Sequence, residues 1–183
     1  CVQWSRDGKR LIYFAGKLKL GGSIFSINTD KTNNTKLVDG FNPALSPDSA
    51  KMVYTACETN STCGLFIYDF TAKSSTRITG DAGGNPQWSP LGNKIVYQAG
   101  NPPNIFTVNP DGTGIKQLTF STTNEGQPTW SSDGNFIFWR SDQDGRGWAI
   151  FSMRLDGSDR RLRIDNVPPD GERWGHESLS AGP

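Results

Sequence analysis

Along this chain, short runs of aliphatic, β-branched and aromatic residues alternate with polar, turn-forming residues, and no stretch shows sustained helical periodicity. The clearest unit places Trp88 before a turn at residues 89–93 and an apolar run at residues 95–97 after it. Pro90 suits the second position of a tight turn because its ring fixes φ, and Gly92 can adopt the positive φ that closes the turn. The pattern therefore predicts a short strand, a tight turn and a second, buried strand.

This unit recurs at a nearly constant spacing. Its anchor residues are Trp4, Leu45, Trp88 and Trp130, so successive copies lie 41, 43 and 42 residues apart. A decayed fifth copy places Leu179 at the anchor position, 49 residues after Trp130. A repeat of about 40 residues that is built only from strands is the sequence signature of β-propeller blades.

We therefore predict an all-β chain, a β-propeller of four-stranded antiparallel blades that forms a single domain or segment over residues 1–183. The four blades should cover about residues 2–38, 43–79, 86–119 and 128–163. Residues 164–183 should hold an irregular loop and the first strand of another blade.

Three local details extend this prediction. Ser49 stands where the other copies have a turn glycine, so the backbone of the second turn should be more strained. Residues 17–22 should form a loop in the first blade. The anchor tryptophans Trp4, Trp88 and Trp130 should pack between neighbouring blades.

The composition fits many short strands joined by tight turns, with 21 glycines and 11 prolines among 183 residues. The formal charge is +1, so we expect no net attraction to nucleic acid or to an anionic membrane surface. No apolar run is long enough to suggest a transmembrane segment. The chain begins without Met, which favours a processed or partial product.

Two cysteines, Cys57 and Cys63, flank a short polar segment between two predicted strands. A hairpin would bring its two ends together, so a disulfide between them is geometrically reasonable. The alternative is a pair of reduced thiols that lie near each other. We favour the disulfide, which predicts an oxidising compartment.

These residues resemble the TolB-type β-propeller repeat, a WD-repeat-like module of bacterial envelope proteins. That repeat reads roughly Pro-x-Trp-Ser-Pro-Asp-Gly-Lys-x-Ile-x-Phe, followed by an Ile-Tyr strand, Asp-Gly and Leu-Thr. The third copy matches it at Pro86, Trp88, Ser89, Pro90, Gly92, Lys94, Ile95, Ile105, Phe106, Asp111, Gly112, Leu118 and Thr119. The likeness covers about residues 1–163, and Arg6 and Ser132 depart from it by replacing the turn proline.

The resemblance implies a location in the periplasm or outside the cell, as part of the cell envelope. It also implies a larger ring than four blades, since family members usually close with six or seven. Because a ring must satisfy its edge strands, we infer three possibilities and rank them in this order. The chain is a segment of a larger propeller, closes with a protein partner or a second copy through its open blade edges, or closes with four blades.

Few residues show a pattern that is typical of catalysis or metal binding. His176 is the only histidine and has no nucleophile motif beside it, so we expect no Ser-His-Asp or Cys-His group and no enzyme activity. Asp142 and Asp144 alternate around a glycine turn as in a cation loop, but the rest of a Ca²⁺ loop is missing. We therefore expect no cofactor and leave a structural Ca²⁺ ion as the one weak candidate.

Aromatic residues beside arginine on predicted loops are the best candidates for a binding surface. Trp148 follows Arg146, and Trp174 follows Arg173 and precedes His176 by two positions. Such aromatic and arginine pairs are common where proteins contact other proteins or sugars. The alternative is that Trp148 and Trp174, like Trp139, fill the outer blade edges.

The leading hypothesis is a non-enzymatic propeller that binds another protein or forms part of an envelope or extracellular assembly. One alternative is a carbohydrate-binding or carbohydrate-processing propeller, which predicts a central cluster of carboxylates, aromatics or a metal. Another is the regulatory propeller of a peptidase whose catalytic part lies elsewhere. Peptidases with related propellers place their catalytic residues in a separate hydrolase domain.

Overall fold

The computed structural model describes residues 2–17, 21–57, 63–142 and 147–167. Every regular element in this part of the chain is a β-strand, and the strands form four antiparallel sheets of four consecutive strands each. This is the predicted all-β propeller architecture, with each sheet forming one blade. Each blade begins with its inner strand and ends with its outer strand.

Blade one contains β1 (Val2–Trp4), β2 (Arg10–Lys17), β3 (Gly21–Asn28) and β4 (Thr35–Asp39), and blade two contains β5 (Phe41–Leu45), β6 (Lys51–Cys57), β7 (Cys63–Asp69) and β8 (Ser74–Arg77). Blade three contains β9 (Gly84–Trp88), β10 (Ile95–Ala99), β11 (Asn104–Val108) and β12 (Lys116–Gln117), and blade four contains β13 (Glu125–Trp130), β14 (Phe136–Ser141), β15 (Trp148–Arg154) and β16 (Arg161–Val167).

Several strands are longer than the sequence pattern predicted. The loop predicted from Lys17 was wrong at both ends, because β2 continues to Lys17 and pairs with β3 from Gly21 onwards. The irregular loop predicted from Ile164 was also wrong at its start, because Ile164 pairs with Ile150 and β16 continues to Val167. Main-chain pairing with the neighbouring strand extends both elements beyond their apolar runs.

The two ends of each blade differ, and we name them for their connections. At the turn end, the turns at residues 5–9, 46–50, 89–93 and 131–135 join inner and second strands. At the hairpin end, the second strands end, the third strands begin and the next inner strand starts. The disulfide predicted between Cys57 and Cys63 is present at the hairpin end of blade two, where the two residues are register partners.

The turn end follows one hydrogen-bonding scheme. Ser131 Oγ donates to Asp133 Oδ1 at 2.5 Å and accepts from the Phe136 N–H at 2.9 Å. Equivalent hydroxyl–carboxylate bonds of 2.6 Å occur in the first two turns. In blade three Leu91 takes the place of the aspartate, and Ser89 donates to Asn93 Oδ1 instead. Ser49 adopts a φ of 58°, which confirms the strain predicted for that turn.

The core lies in three layers between consecutive blades, each containing buried residues from both neighbours. Trp130 is 4% exposed, and its Nε1 donates to the Gln87 carbonyl of the preceding blade. Trp88 also packs against the layer between blades two and three. The prediction that the anchor tryptophans pack between blades was wrong for Trp4. Its side chain is 62% exposed, because none of the described blades covers the face of blade one on which it lies. Trp139 is fully buried between blades three and four.

Candidate functional site

A polar cleft of about 320 Å³ lies at the hairpin end between blades three and four. We call it the amide cleft, after the primary amides among its lining residues. The side chains that matter for its chemistry are those of Asn85, Gln98, Glu125, Gln127, Arg140 and Trp148. They come from β9, β10, β13, β14 and β15, so two blades build the site together.

Three of the polar side chains at this end occupy one position of the repeat. Asn42, Asn85 and Gln127 each lie three residues before an anchor residue, and each precedes a proline. Their φ values are 52°, 48° and 52°, within the left-handed region. Each lies where the inner strand shifts register against the second strand. Such β-bulges re-aim a side chain, which here places three amides at the same end of their blades.

These amides form a hydrogen-bond chain that crosses three blades. Asn42 Nδ2 donates to Asn85 Oδ1 at 2.6 Å, and Asn85 Nδ2 donates to Gln98 Oε1 at 3.0 Å. The main-chain N–H of Gln127 donates to the same Gln98 oxygen at 2.8 Å. Arg140 Nη1 donates to Gln127 Oε1 at 2.9 Å. The chain therefore links blade two to blade four.

Two obligate donors fix the orientation of this chain. A main-chain N–H and a guanidinium can only donate, so Gln98 and Gln127 must present their oxygens to them. The nitrogen of Gln98 then points away from these contacts. Gly126 makes this approach feasible, because a Cβ at that position would lie 2.6 Å from Gln98 Oε1. Any larger residue at position 126 would therefore displace the Gln98 side-chain oxygen from its present place.

Arg140 and Trp148 form the wall of the cleft on the blade-four side. The Arg140 guanidinium carbon lies 4.7 Å from the centroid of the Trp148 ring, within cation–π distance. Arg140 is only 5% exposed, whereas Trp148 is half-buried. The aromatic ring therefore holds the buried cation in place and remains partly accessible itself.

Glu125 closes the inner wall of the cleft. It is fully buried, and its Oε1 accepts from Arg160 Nη2 at 2.6 Å and from Ser141 Oγ at 3.3 Å. Arg160 in turn lies over the rings of Trp139 and Phe151, at 5.1 Å from each centroid. Glu125 Oε2 has no hydrogen-bond partner within the described residues and is closed off from solvent. The negative charge of Glu125 is therefore compensated inside the layer between blades three and four.

The structure includes one of the predicted binding residues in this site and leaves the others outside the described residues. Trp148 lines the cleft. Arg146, Arg173, Trp174 and His176 lie outside the described residues, and so does Asp144. The other candidate Ca²⁺ ligand, Asp142, is half-buried, and its main-chain N–H donates to the Asn124 carbonyl at 3.1 Å. Within the described ranges, no group of three or more His, Cys, Asp or Glu residues is placed to hold a metal ion.

The sequence prediction missed the amides of the cleft. A usable signal was present, because an Asn or Gln followed by proline recurs at Asn42, Asn85 and Gln127, at the repeat spacing. Gln98 and Arg140 carry no comparable repeat signal. None of the described residues forms a helix long and apolar enough to cross a membrane.

Comparisons with known proteins agree with this architecture. The family model of the TolB beta propeller domain matches residues 41–167. TolB from Acinetobacter baumannii superposes with a TM-score of 0.75 at 20% identity, covering 89% of this chain and 42% of that chain. A TolB-type protein from Agrobacterium tumefaciens gives a TM-score of 0.75 at 19% identity, covering 87% of this chain and 62% of that chain.

One curated relative comes from a peptidase. Dipeptidyl-peptidase 5 of Porphyromonas gingivalis is 38% identical over an alignment of 65 residues, and the match covers 31% of this chain and 10% of that protein. The chain therefore spans less than two thirds of the length of each of these three proteins. The two solved structures establish a shared fold.

Proposed function

Because the chain belongs to the TolB β-propeller family, we propose that it is a non-catalytic propeller domain that binds another protein in the periplasm or outside the cell. The fold by itself does not specify this role, since function depends on the site that a fold carries. The proposal therefore rests on the hairpin end and on the amide cleft in particular.

The observation that carries the proposal is the hydrogen-bond chain from Asn42 to Arg140. It joins polar side chains of three blades into one surface beside a partly accessible tryptophan. Arginine and tryptophan are enriched at the energetically dominant positions of protein interfaces. A surface that crosses several blades suits a protein segment better than a small metabolite.

The disulfide at the hairpin end supports the proposed location. Cys57 and Cys63 join the ends of β6 and β7. Disulfides form and persist in secreted and periplasmic proteins and are rare in the cytosol. A cystine at the same end as the amide cleft is consistent with a binding surface in an oxidising compartment.

A photo-cross-linking amino acid at the cleft rim tests the proposal. Asn124 is exposed and lines the cleft, whereas Leu91 is 71% exposed at the turn end and provides a matched control position. In cell-envelope extracts we expect a protein adduct from position 124 that the Gly126→Ala variant loses. The absence of an adduct from position 124, or the same adduct from both positions, would contradict the proposal.

A second candidate function is supported by the peptidase relative. The 38% identity to dipeptidyl-peptidase 5 favours a propeller that controls access to a catalytic domain on the same polypeptide. The mass of the cellular polypeptide and its hydrolysis of dipeptidyl substrates test this candidate. A polypeptide of this length without hydrolase activity would exclude it.

The predicted self-association through open blade edges stays a prediction. On blade one, Val2 and Trp4 are 61% and 62% exposed on the face that in the other blades is covered by the preceding blade. The native mass of the protein, measured with Trp4→Ser as the variant, checks it. A monomer whose mass does not depend on Trp4 would exclude this contact.

A further inference from the structure

We infer that the amide cleft binds a carboxylate group, presented by a segment of the partner protein. This inference rests on the proposed function in one respect, namely that the partner is a protein. The carboxylate chemistry itself follows from the donors and acceptors that line the cleft.

The side-chain amide acceptors of Asn85, Gln98 and Gln127 each already accept at least one hydrogen bond within the cleft. Asn85 Oδ1 accepts from Asn42, Gln127 Oε1 accepts from Arg140, and Gln98 Oε1 accepts two hydrogen bonds. The nearby main-chain carbonyls are occupied as well, since Pro103 accepts from the Glu125 N–H and Asn124 accepts from the Asp142 N–H. A ligand that needs acceptors therefore finds few in this cleft.

Several side-chain donor protons of the cleft, by contrast, make no hydrogen bond to the described residues that line it. Gln98 Nε2 carries two protons and makes no hydrogen bond within the described residues, although Gln98 is half-buried. Asn85 Nδ2 has a second proton beyond the one that it donates to Gln98. A ligand that supplies acceptor oxygens can therefore hydrogen-bond to these protons in place of water, and a charged acceptor makes the stronger bonds.

Glu125 does not reverse this imbalance. Both of its oxygens are closed off from solvent, and its charge is compensated by Arg160. It therefore presents no acceptor to a ligand in the cleft. Arg140 adds a positive charge to the same wall, beside Trp148.

An ionised carboxylate is the common ligand group that only accepts hydrogen bonds and is planar. A sugar hydroxyl both donates and accepts, so its proton would have to share an oxygen that already accepts a hydrogen bond, whereas a carboxylate needs no acceptor from the cleft. A sugar ring also stacks on an open aromatic face, whereas Arg140 lies over one face of Trp148. A carboxylate of a protein occurs at the C-terminus or on an Asp or Glu side chain, and these two sources require different probes.

The test uses the side-chain amide signals of the ¹⁵N-labelled protein, with the Gln98 pair assigned through its loss in the Gln98→Glu variant. Sodium acetate should shift the Gln98 amide signals and a Trp148 indole signal in a saturable way, whereas sodium chloride at equal ionic strength should not. A tripeptide with a free C-terminus, its C-terminal amide and an amidated tripeptide with a central Glu then distinguish the two sources.

The variants provide the comparison that decides the inference. Gln98→Glu keeps the oxygen that accepts from Asn85 and Gln127 but removes both outward donors, so we expect acetate binding to weaken about tenfold or more. Gln3→Glu makes the same charge change in blade one and should leave binding unchanged. Gly126→Ala provides a second variant that displaces Gln98 without a change of charge.

Each outcome bears on one claim. No saturable shift with acetate, an equal shift with chloride, or equal acetate affinity in the Gln98→Glu variant would overturn the inference. If Gln98→Glu leaves the cross-link at position 124 intact, the protein-binding proposal stands and the carboxylate inference fails. If acetate binds as expected but no protein adduct forms at position 124, the carboxylate site stands and the proposed protein-binding function fails.

Discussion

The turn end and the hairpin end of this propeller use similar residues for different purposes. At the turn end, the serine–aspartate scheme joins residues within five positions along the chain. One turn-end bond is longer, because the Arg6 N–H donates to Ser49 Oγ of the next blade. In the amide cleft, the hydrogen-bond chain joins residues 13 to 43 positions apart. Because the polar groups of the turn end bond to one another locally, few are available to a ligand. The hydrogen-bond chain of the amide cleft leaves the outward protons of Gln98 without a partner among the described residues.

Two glycines of blade four, Gly134 at the turn end and Gly126 at the hairpin end, differ in the same way. Gly134 at the turn end has a φ of 73°, and a Cβ there would meet its neighbours only at ordinary contact distance, 3.6 Å or more. Gly126 at the hairpin end has no such φ, but a Cβ would lie 2.6 Å from Gln98 Oε1. Gly134 therefore allows the positive φ of its turn, whereas Gly126 makes room for a side chain of the preceding blade.

The largest expected effect comes from removing the buried carboxylate of the hairpin end. Glu125→Ala leaves Arg160 without its partner in the layer between blades three and four. We expect the free energy of unfolding to fall by about 2 kcal/mol, less than the roughly 3–5 kcal/mol for breaking a fully buried ion pair, because the Arg160 side chain is 33% exposed and can reach water. The urea midpoint measures this loss.

The control for Glu125 is a carboxylate of an exposed ion pair. Asp39 binds Lys36 at 2.6 Å, but its side chain is 75% exposed. Asp39→Ala should leave the urea midpoint unchanged, because exposed pairs contribute little. An equal fall in urea midpoint for Glu125→Ala and Asp39→Ala would show that the burial of Glu125 does not determine its contribution to stability.

The fold could be predicted from the sequence because it depends on residues that are close along the chain. The turn at residues 89–93 and the run at residues 95–97 specify their own strand and turn, and their recurrence specifies the blades. The solvent exposure of Trp4 could not be predicted in this way. Its burial depends on a neighbouring blade, which its own repeat unit does not encode.

The amide cleft was harder to predict for two physical reasons. Residues such as Asn85 and Gln127 lie at bulges with positive φ, so the alternation of a regular strand does not tell which way their side chains point. Gln98 and Arg140 come from second strands, and the bond from the Gln127 N–H to Gln98 joins two blades, which the repeat unit of one blade does not encode. Trp148 could be selected from sequence because an aromatic residue beside arginine is a local signal.

The same substitution at the two glycines separates backbone strain from site geometry. Gly134→Ala should lower the free energy of unfolding by about 1 kcal/mol, because the new side chain must adopt a positive φ, and should leave acetate binding unchanged. Gly126→Ala should abolish acetate binding, because it displaces Gln98. Urea midpoints and the acetate titration of both variants measure the two effects. Loss of acetate binding in Gly134→Ala would remove the functional distinction between the ends.

The smallest expected effect is the pH dependence of the turn end. The Ser131 hydroxyl, with the backbone and side chain of Asn135, lowers the pKa of Asp133 from 3.8 to about 2. A carboxylate whose pKa is lower in the folded state stabilises the fold above its unfolded pKa, and this contribution disappears as the pH falls towards 2. Asp133→Asn should therefore be less stable than the parent at pH 5, and the gap in urea midpoint should narrow progressively between pH 4 and pH 2. A gap that stays constant over this window would show that the turn end does not depend on the charge of Asp133, and that its hydroxyl–carboxylate bond is replaceable by a neutral amide.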